Sequence, residues 1–213
     1  MNRSVVSKLD KFFGSYKRLN YKKGEILVRV DDDPLGIFYL KKGKVKQYAI
    51  SKNGEEVILN IFQPPAFFPL SWALNDTPNE FYYEAMTDID AWRAPKEEVL
   101  KFLKNDTEVM YDLLCRIYRG IDGIFMRMIY FMSGTAYNRL VAEIIIQAKR
   151  FGIKVNGAIE IIISEKELAA ETGMTRETVS REIKILKDKG YVSFNKKKLT
   201  ILNLQGLEKQ LED

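Results

Sequence analysis

The stretch Ile163–Gly190, ISEKELAAETGMTRETVSREIKILKDKG, predicts two helices meeting at a sharp turn, and the rest of the chain is read outward from it. Ser164 is a good N-cap with Glu167 three residues on, so each side chain can satisfy an orphan backbone donor at the helix start. Leu168 and Ala169 give that helix an apolar side, and Gly173 is the expected left-handed residue where it stops. Thr175 then caps a second helix, whose Val179, Ile183 and Leu186 form one buried stripe. Its other face carries Arg176, Glu177, Ser180, Arg181 and Lys184, the first four in the opening turns. Those residue types suit base reading: Arg can donate twice to guanine, Glu can accept from cytosine, and a Ser hydroxyl can reach a base or phosphate. The same pattern fits an ordinary helical hairpin with a solvated charged face. Beyond it, Tyr191–Phe194 and Leu199–Leu202 read as two strands around Asn195, Lys196, Lys197 and Lys198, a hairpin with a basic tip suited to phosphate.

The run from Ile163 to Val192, and above all Thr175-Arg176-Glu177-Thr178-Val179-Ser180-Arg181, resembles the DNA-binding signature of the cyclic AMP receptor protein and fumarate-nitrate regulator (Crp/Fnr) family. The resemblance implies that Arg176, Glu177 and Arg181 read bases of double-stranded DNA, with Ser180 at a position that separates subfamilies. The sequence joins the Arg-Glu start of one branch to the Glu-x-x-Ser-Arg pattern of another, which implies half-sites with a TGA core. It further implies a homodimeric transcription regulator on a palindrome, with RNA polymerase as a further partner. The α+β fold expected from it has an N-terminal β-roll (a double-stranded β-helix like that of cyclic-nucleotide-binding domains), a long dimerisation helix and a C-terminal winged helix-turn-helix.

The chain has 213 residues with 46% hydrophobic content, enough for two modest domains, and a formal net charge of +5, compatible with a polyanionic partner. It lacks histidine, the commonest metal ligand, the usual haem ligand and the usual general base. A single cysteine, Cys115, can hold neither an internal disulfide nor an iron-sulfur cluster. With no phosphate loop, nucleophile elbow or metal-spaced cluster, no catalytic or metal-binding residue is expected and the chain is not read as an enzyme. The most apolar stretch, Ile124–Met132, is interrupted by Arg127, so the chain is expected to be cytoplasmic rather than secreted or membrane-bound.

Met1–Leu19 predicts a short amphipathic helix with Val5, Val6, Leu9, Phe12 and Phe13 on one side. Strands are expected at Glu25–Val30, Gly36–Leu40, Val45–Ile50, Val57–Phe62 and within Phe81–Arg93, with Asn53-Gly54 as a type I′ hairpin turn. These give an all-β sandwich or small barrel. The run Phe38–Val45, with Asn53-Gly54-Glu55-Glu56 after it, resembles the glycine-marked hairpins of the family's β-roll. Where cyclic-nucleotide binders of the family carry Gly-Glu and Arg-Ser/Thr pairs, this chain aligns Pro69-Leu70 and Asn79-Glu80. A carboxylate would meet the cyclic phosphate, so neither cyclic AMP nor cyclic GMP is expected. Phe67, Phe68, Trp72, Phe81, Tyr82 and Tyr83 occupy that region instead, either as a pocket for an apolar or aromatic effector or as a filled core.

From Asp106 to about Ser133 the period is helical, and Met110, Leu114, Ile117, Ile121, Ile124, Met128 and Phe131 alternate spacings of four and three, a seam for a partner helix. Leu113, Tyr118, Phe125, Ile129 and Met132 form a second apolar face, expected to pack on the chain's own β domain. Ser133-Gly134-Thr135 reads as a hinge before a helix at Tyr137–Phe151 with Leu140, Ile144, Ile145 and Ala148 inward, followed by an Asn156-Gly157 turn and a strand at Ile159–Ile163. The expected division is a sensor domain over 1–105, a dimer helix and hinge over 106–134, and a DNA-binding domain over 135–213. The competing reading is an effector-binding module that acts mainly through protein partners.

Overall fold

A computed structural model describes residues 3–211, Ser133 by its backbone alone. Met1 and Asn2 of the expected first helix, and Glu212 and Asp213 of the expected last domain, lie outside the described residues. The chain forms two compact units, Met1–Tyr118 and Arg119–Asp213.

The first unit opens with helix α1 (Arg3–Phe13), which buries Val5, Leu9 and Phe13 on one face. It is shorter than the sequence suggests: Gly14 and Ser15 turn the chain, and Lys17–Tyr21 is strand β1, paired with β8 (Ile89–Ala94). Two antiparallel four-stranded sheets follow. In one the order is β1, β8, β3 (Ile37–Lys42) and β6 (Ala66–Phe68); in the other it is β2 (Ile26–Val28), β7 (Tyr82–Ala85), β4 (Val45–Ile50) and β5 (Glu56–Phe62). The β4–β5 hairpin differs from the expected turn. Gly54 has φ 80° but Asn53 is not left-handed; a four-residue turn, Gly54 N–H to Ser51 O at 2.9 Å, closes the loop.

Because side chains alternate across a strand, β3 feeds two cores at once. Phe38 and Leu40 join Val28, Val45, Phe68 and Tyr83 between the sheets. Ile37 and Tyr39 point the other way, onto a layer built by α1, helix α2 (Leu70–Asn75), helix α3 (Lys96–Asn105) and the start of helix α4 (Thr107–Ser133). Helix α3 is not anticipated by the sequence reading; it buries only Val99 and Leu103, too short a stripe to stand out.

Helix α4 anchors Val109 and Leu113 in that layer, and between Leu114 and Met132 no described residue is buried. The expected second face is therefore corrected: Leu113 packs on the β unit, whereas Tyr118, Phe125, Ile129 and Met132 are exposed. Of the seam, Met110 and Ile121 are half-buried, and Leu114, Ile117, Ile124, Met128 and Phe131 are 40–57% exposed.

The second unit contains helix α5 (Ala136–Phe151), capped by Thr135, then β9 (Ile153–Val155) and β10 (Ala158–Ile162), joined by Asn156 and Gly157 at φ 48° and 81°. Helix α6 (Glu165–Thr172), helix α7 (Arg176–Asp188), strands β11 (Val192–Asn195) and β12 (Lys198–Ile201) and helix α8 (Leu204–Lys209) complete it. The sheet order is β11, β12, β10, β9, and one core holds Leu140, Ile144, Ile161, Leu168, Val179, Ile183, Leu186 and Leu199 together.

Candidate nucleic-acid interface

The helix pair is built by its caps. Ser164 Oγ accepts from Glu167 N–H at 3.2 Å, while the Glu167 carboxylate accepts from Ser164 N–H at 2.6 Å, a complete capping box. Gly173 ends α6 at φ 62°, where a side chain would be strained. Two residues on, Thr175 Oγ1 accepts from Thr178 N–H at 3.2 Å and starts α7. This gives Thr175, expected among the contact residues, a capping role in the free chain.

Val179, Ile183 and Leu186 are buried, which turns the opposite face of α7 to solvent. Arg176, Glu177, Ser180, Arg181 and Lys184 are all exposed there. They line one shallow depression with Lys187, Glu165 of α6 and Phe194 of β11. Three acids paired with the basic residues of α7 and the hairpin are not singled out from sequence; of them only Glu165 lines the depression, and Glu182 is buried. Glu165 accepts from Arg176 Nε at 3.3 Å, Glu182 from Arg181 Nε at 3.1 Å, and Glu160 of β10 from Lys198 Nζ at 2.8 Å. The β11–β12 hairpin turns through Lys196 and Lys197, with Lys196 at φ 55° and both residues exposed. The basic tip thus presents Lys196 and Lys197, while Lys198 is held back along the sheet.

Beneath the pair lies a buried polar cluster. Glu143 of α5, 1% exposed, takes two hydrogen bonds from Arg127 of α4, Nε to Oε2 at 2.6 Å and Nη2 to Oε1 at 2.8 Å. Gln147 Nε2 donates to Glu143 Oε1 at 3.0 Å and to Oε2 of Glu171 on α6. Burial and the adjacent Glu143 charge push the Glu171 carboxyl well above the usual carboxylate range. Burial works against the Arg127 charge, but the hydrogen-bonded Glu143 carboxylate outweighs it and raises its pKa; burial and the Arg127 charge lower that of Arg150. One turn beyond Arg127, Phe131 lies under the Arg139 guanidinium, 4.6 Å from ring centroid to carbon, so this exposed seam residue also contacts α5.

The six aromatic residues, read from sequence either as an effector pocket or as a filled core, are not all brought together; most pack in or against two separate cores. Phe67 joins Phe13 and Tyr39 on the helical side of its sheet, while Phe68 stacks on Tyr83 at 5.4 Å between the sheets. Tyr82 stacks on Tyr48 at 5.1 Å, Trp72 lies under Lys96 Nζ at 4.8 Å, and Phe81 flanks the inter-sheet core. Strand alternation sends neighbours in sequence to opposite faces. A cavity of about 640 Å³ in this unit is lined instead by Asp31, Asp32, Asp33, Trp72, Asp76, Asn79 and Glu97 among others. Asn79 is buried and spent on backbone, donating to Arg29 O at 2.7 Å and Phe81 O at 2.8 Å.

Comparison with known proteins agrees with this architecture. Residues 18–106 match the cyclic nucleotide-binding domain and residues 138–210 the Crp-like helix-turn-helix domain. The global nitrogen regulator of Synechocystis sp. is 28% identical over 82% of this chain and 79% of its own length; that of Nostoc sp. is 26% identical over 82% and 80%. A CRP/FNR-family transcriptional regulator of known structure from Thermus thermophilus superposes with TM-score 0.73 at 24% identity, covering 92% of this chain and 99% of its own, a likeness of fold. No helix among the described residues is long and apolar enough to cross a membrane. A β domain like that of cyclic nucleotide-binding proteins, a long helix and a capped helix pair with a polar outer face are thus the parts of a transcription regulator rather than an enzyme, and the chain belongs to the Crp/Fnr family, with its helix-turn-helix DNA-binding domain at the C-terminal end.

Proposed function

We propose that this chain is a cytoplasmic homodimer that binds a palindrome with TGA-containing half-sites and regulates transcription in contact with RNA polymerase. The observation that carries the reading is α7: its buried stripe of Val179, Ile183 and Leu186 forces Arg176, Glu177, Ser180, Arg181 and Lys184 onto one exposed face. Arg176, Glu177 and Arg181 read base edges, Ser180 and Lys184 add polar contacts along the groove, and Lys196, Lys197 and Lys198 meet phosphate. Dimerisation is supported by α4, where Leu114, Ile117, Ile124 and Met128 expose a heptad seam. A helix with this much apolar surface in water is covered by a second copy.

The effector, on this reading, is not a cyclic nucleotide, and neither haem nor an iron-sulfur cluster takes part. Asn79 is committed to backbone carbonyls, Glu80 beside it is a carboxylate, and the chain has no histidine and one cysteine. Selection of tight sites from random duplex DNA by the purified, ligand-free protein near physiological salt tests the reading. A palindrome of two TGA-containing half-sites is the expected result. Retention of DNA with no enriched sequence, with or without added cyclic AMP, would favour action through protein partners; enrichment only with cyclic AMP would overturn the effector assignment.

A further inference from the structure

Arg127 interrupts the most apolar stretch of the chain, on a helix whose neighbouring positions Ile124 and Met128 belong to the proposed dimer seam. A guanidinium there is expensive unless it has a fixed partner, and Glu143 is that partner, almost completely removed from solvent. The two-pronged contact, at 2.6 and 2.8 Å, fixes rotation as well as distance, because both nitrogens and both oxygens must stay coplanar. Gln147 carries the contact on to Glu171, so α4, α5 and α6 are joined by one hydrogen-bonded chain. Phe131 adds a second point one turn along α4, beneath Arg139 of α5 and 3.3 Å from where a Cβ on Gly173 would stand. All of these residues lie within Arg119–Asp213.

We propose that Arg127 and Glu143 are a positioning pair that locks the helix-turn-helix onto the end of α4 and thereby sets the spacing between half-sites that the dimer accepts. The inference rests on the homodimer and palindrome proposed above. If α4 supplies the two-fold axis, each recognition helix reaches its major groove only as rigidly as α6 and α7 are held to α4. One added base pair slides a half-site by about 3.4 Å and rotates it by about 34°, a change that a locked unit cannot follow and a loosened one can.

The test is the affinity of the full chain for palindromes with identical half-sites and spacers varied one base pair at a time. The wild type is expected to favour one spacer by about tenfold over its neighbours. The double variant R127M/E143M removes both charges, so that neither is left buried alone. It is expected to bring neighbouring spacers within about threefold while base preferences inside each half-site stay unchanged. R127K, which keeps the charge and loses the fork, provides the same reading should circular dichroism show that the double variant has not folded. Wild-type spacer selectivity in either folded variant would overturn the positioning role. A wild type that selects half-site sequences but ignores spacing would overturn it too, whereas a wild type that selects no sequence would bring down the proposed function instead.

Discussion

Two parts of the molecule gather like residues in the sequence, and only one gathers them in space. Between Phe67 and Tyr83 lie six aromatic residues, dispersed over two cores, a sheet face and a cavity rim. Between Arg176 and Lys184 lie five polar residues that share one depression. The difference is one of period: neighbours on a strand point to opposite faces, whereas positions i, i+1, i+4, i+5 and i+8 on a helix lie side by side. Clustering in sequence therefore has to be read through the secondary structure before it is read as a site.

The largest expected effect breaks the aromatic side of this contrast. Phe68→Ala leaves a void among Phe38, Phe62 and Tyr83 and should cost about 3–5 kcal/mol in chemical unfolding. An effector pocket at Phe68 would instead give a small stability change and a large loss of response. On the polar side, Arg181→Ala should cost about 1–3 kcal/mol in binding and relax selectivity at one base pair. Unaltered selectivity in a gel shift would misplace the recognition helix. Thr175→Ala joins the two kinds of effect, since its hydroxyl holds Thr178 N–H: about 1 kcal/mol of stability should go, measured by thermal unfolding, with weaker binding following from a frayed first turn.

The smallest effect concerns the buried support of that helix pair. Glu171 has a raised pKa in the folded state, so the native chain holds its proton over a range where the unfolded chain has released it. Stability from this group is full below about pH 4.3 and is lost as pH rises, until the native carboxyl has ionised too. Glu171→Gln should remove that decline. Parallel pH profiles of the unfolding midpoint for wild type and variant would show the group to be irrelevant.

Much of the second unit was legible because its signals are local. Ser164, Glu167, Gly173, Thr175 and the Asn156-Gly157 turn each act within a few residues, and the structure uses each as the sequence suggests. The buried cluster was not, because Arg127 and Glu143 are joined only when α5 folds back along α4. A sign of it was present: Glu143 and Gln147 share the inward side of α5 with Leu140 and Ile144, and polar residues there call for buried partners. In the first unit, β1 and β6 were missed because five- and three-residue strands are defined by their neighbours in the sheet rather than by their own pattern.

If α7 reads DNA as proposed, the acids paired with its basic residues and with Lys198 bear on how fast a target is found. Arg176, Arg181 and Lys198 already have carboxylate neighbours in Glu165, Glu182 and Glu160. Grip on random duplex scales with the net charge offered to phosphate, so each acid shortens the stay at a wrong site. The Arg176–Glu165 and Lys198–Glu160 pairs are partly exposed and cheap to open, whereas Glu182 beside Arg181 is itself buried. On the proposed DNA-reading role of this face, association with a target inside a long DNA should depend less steeply on ionic strength than its number of lysines and arginines alone would give.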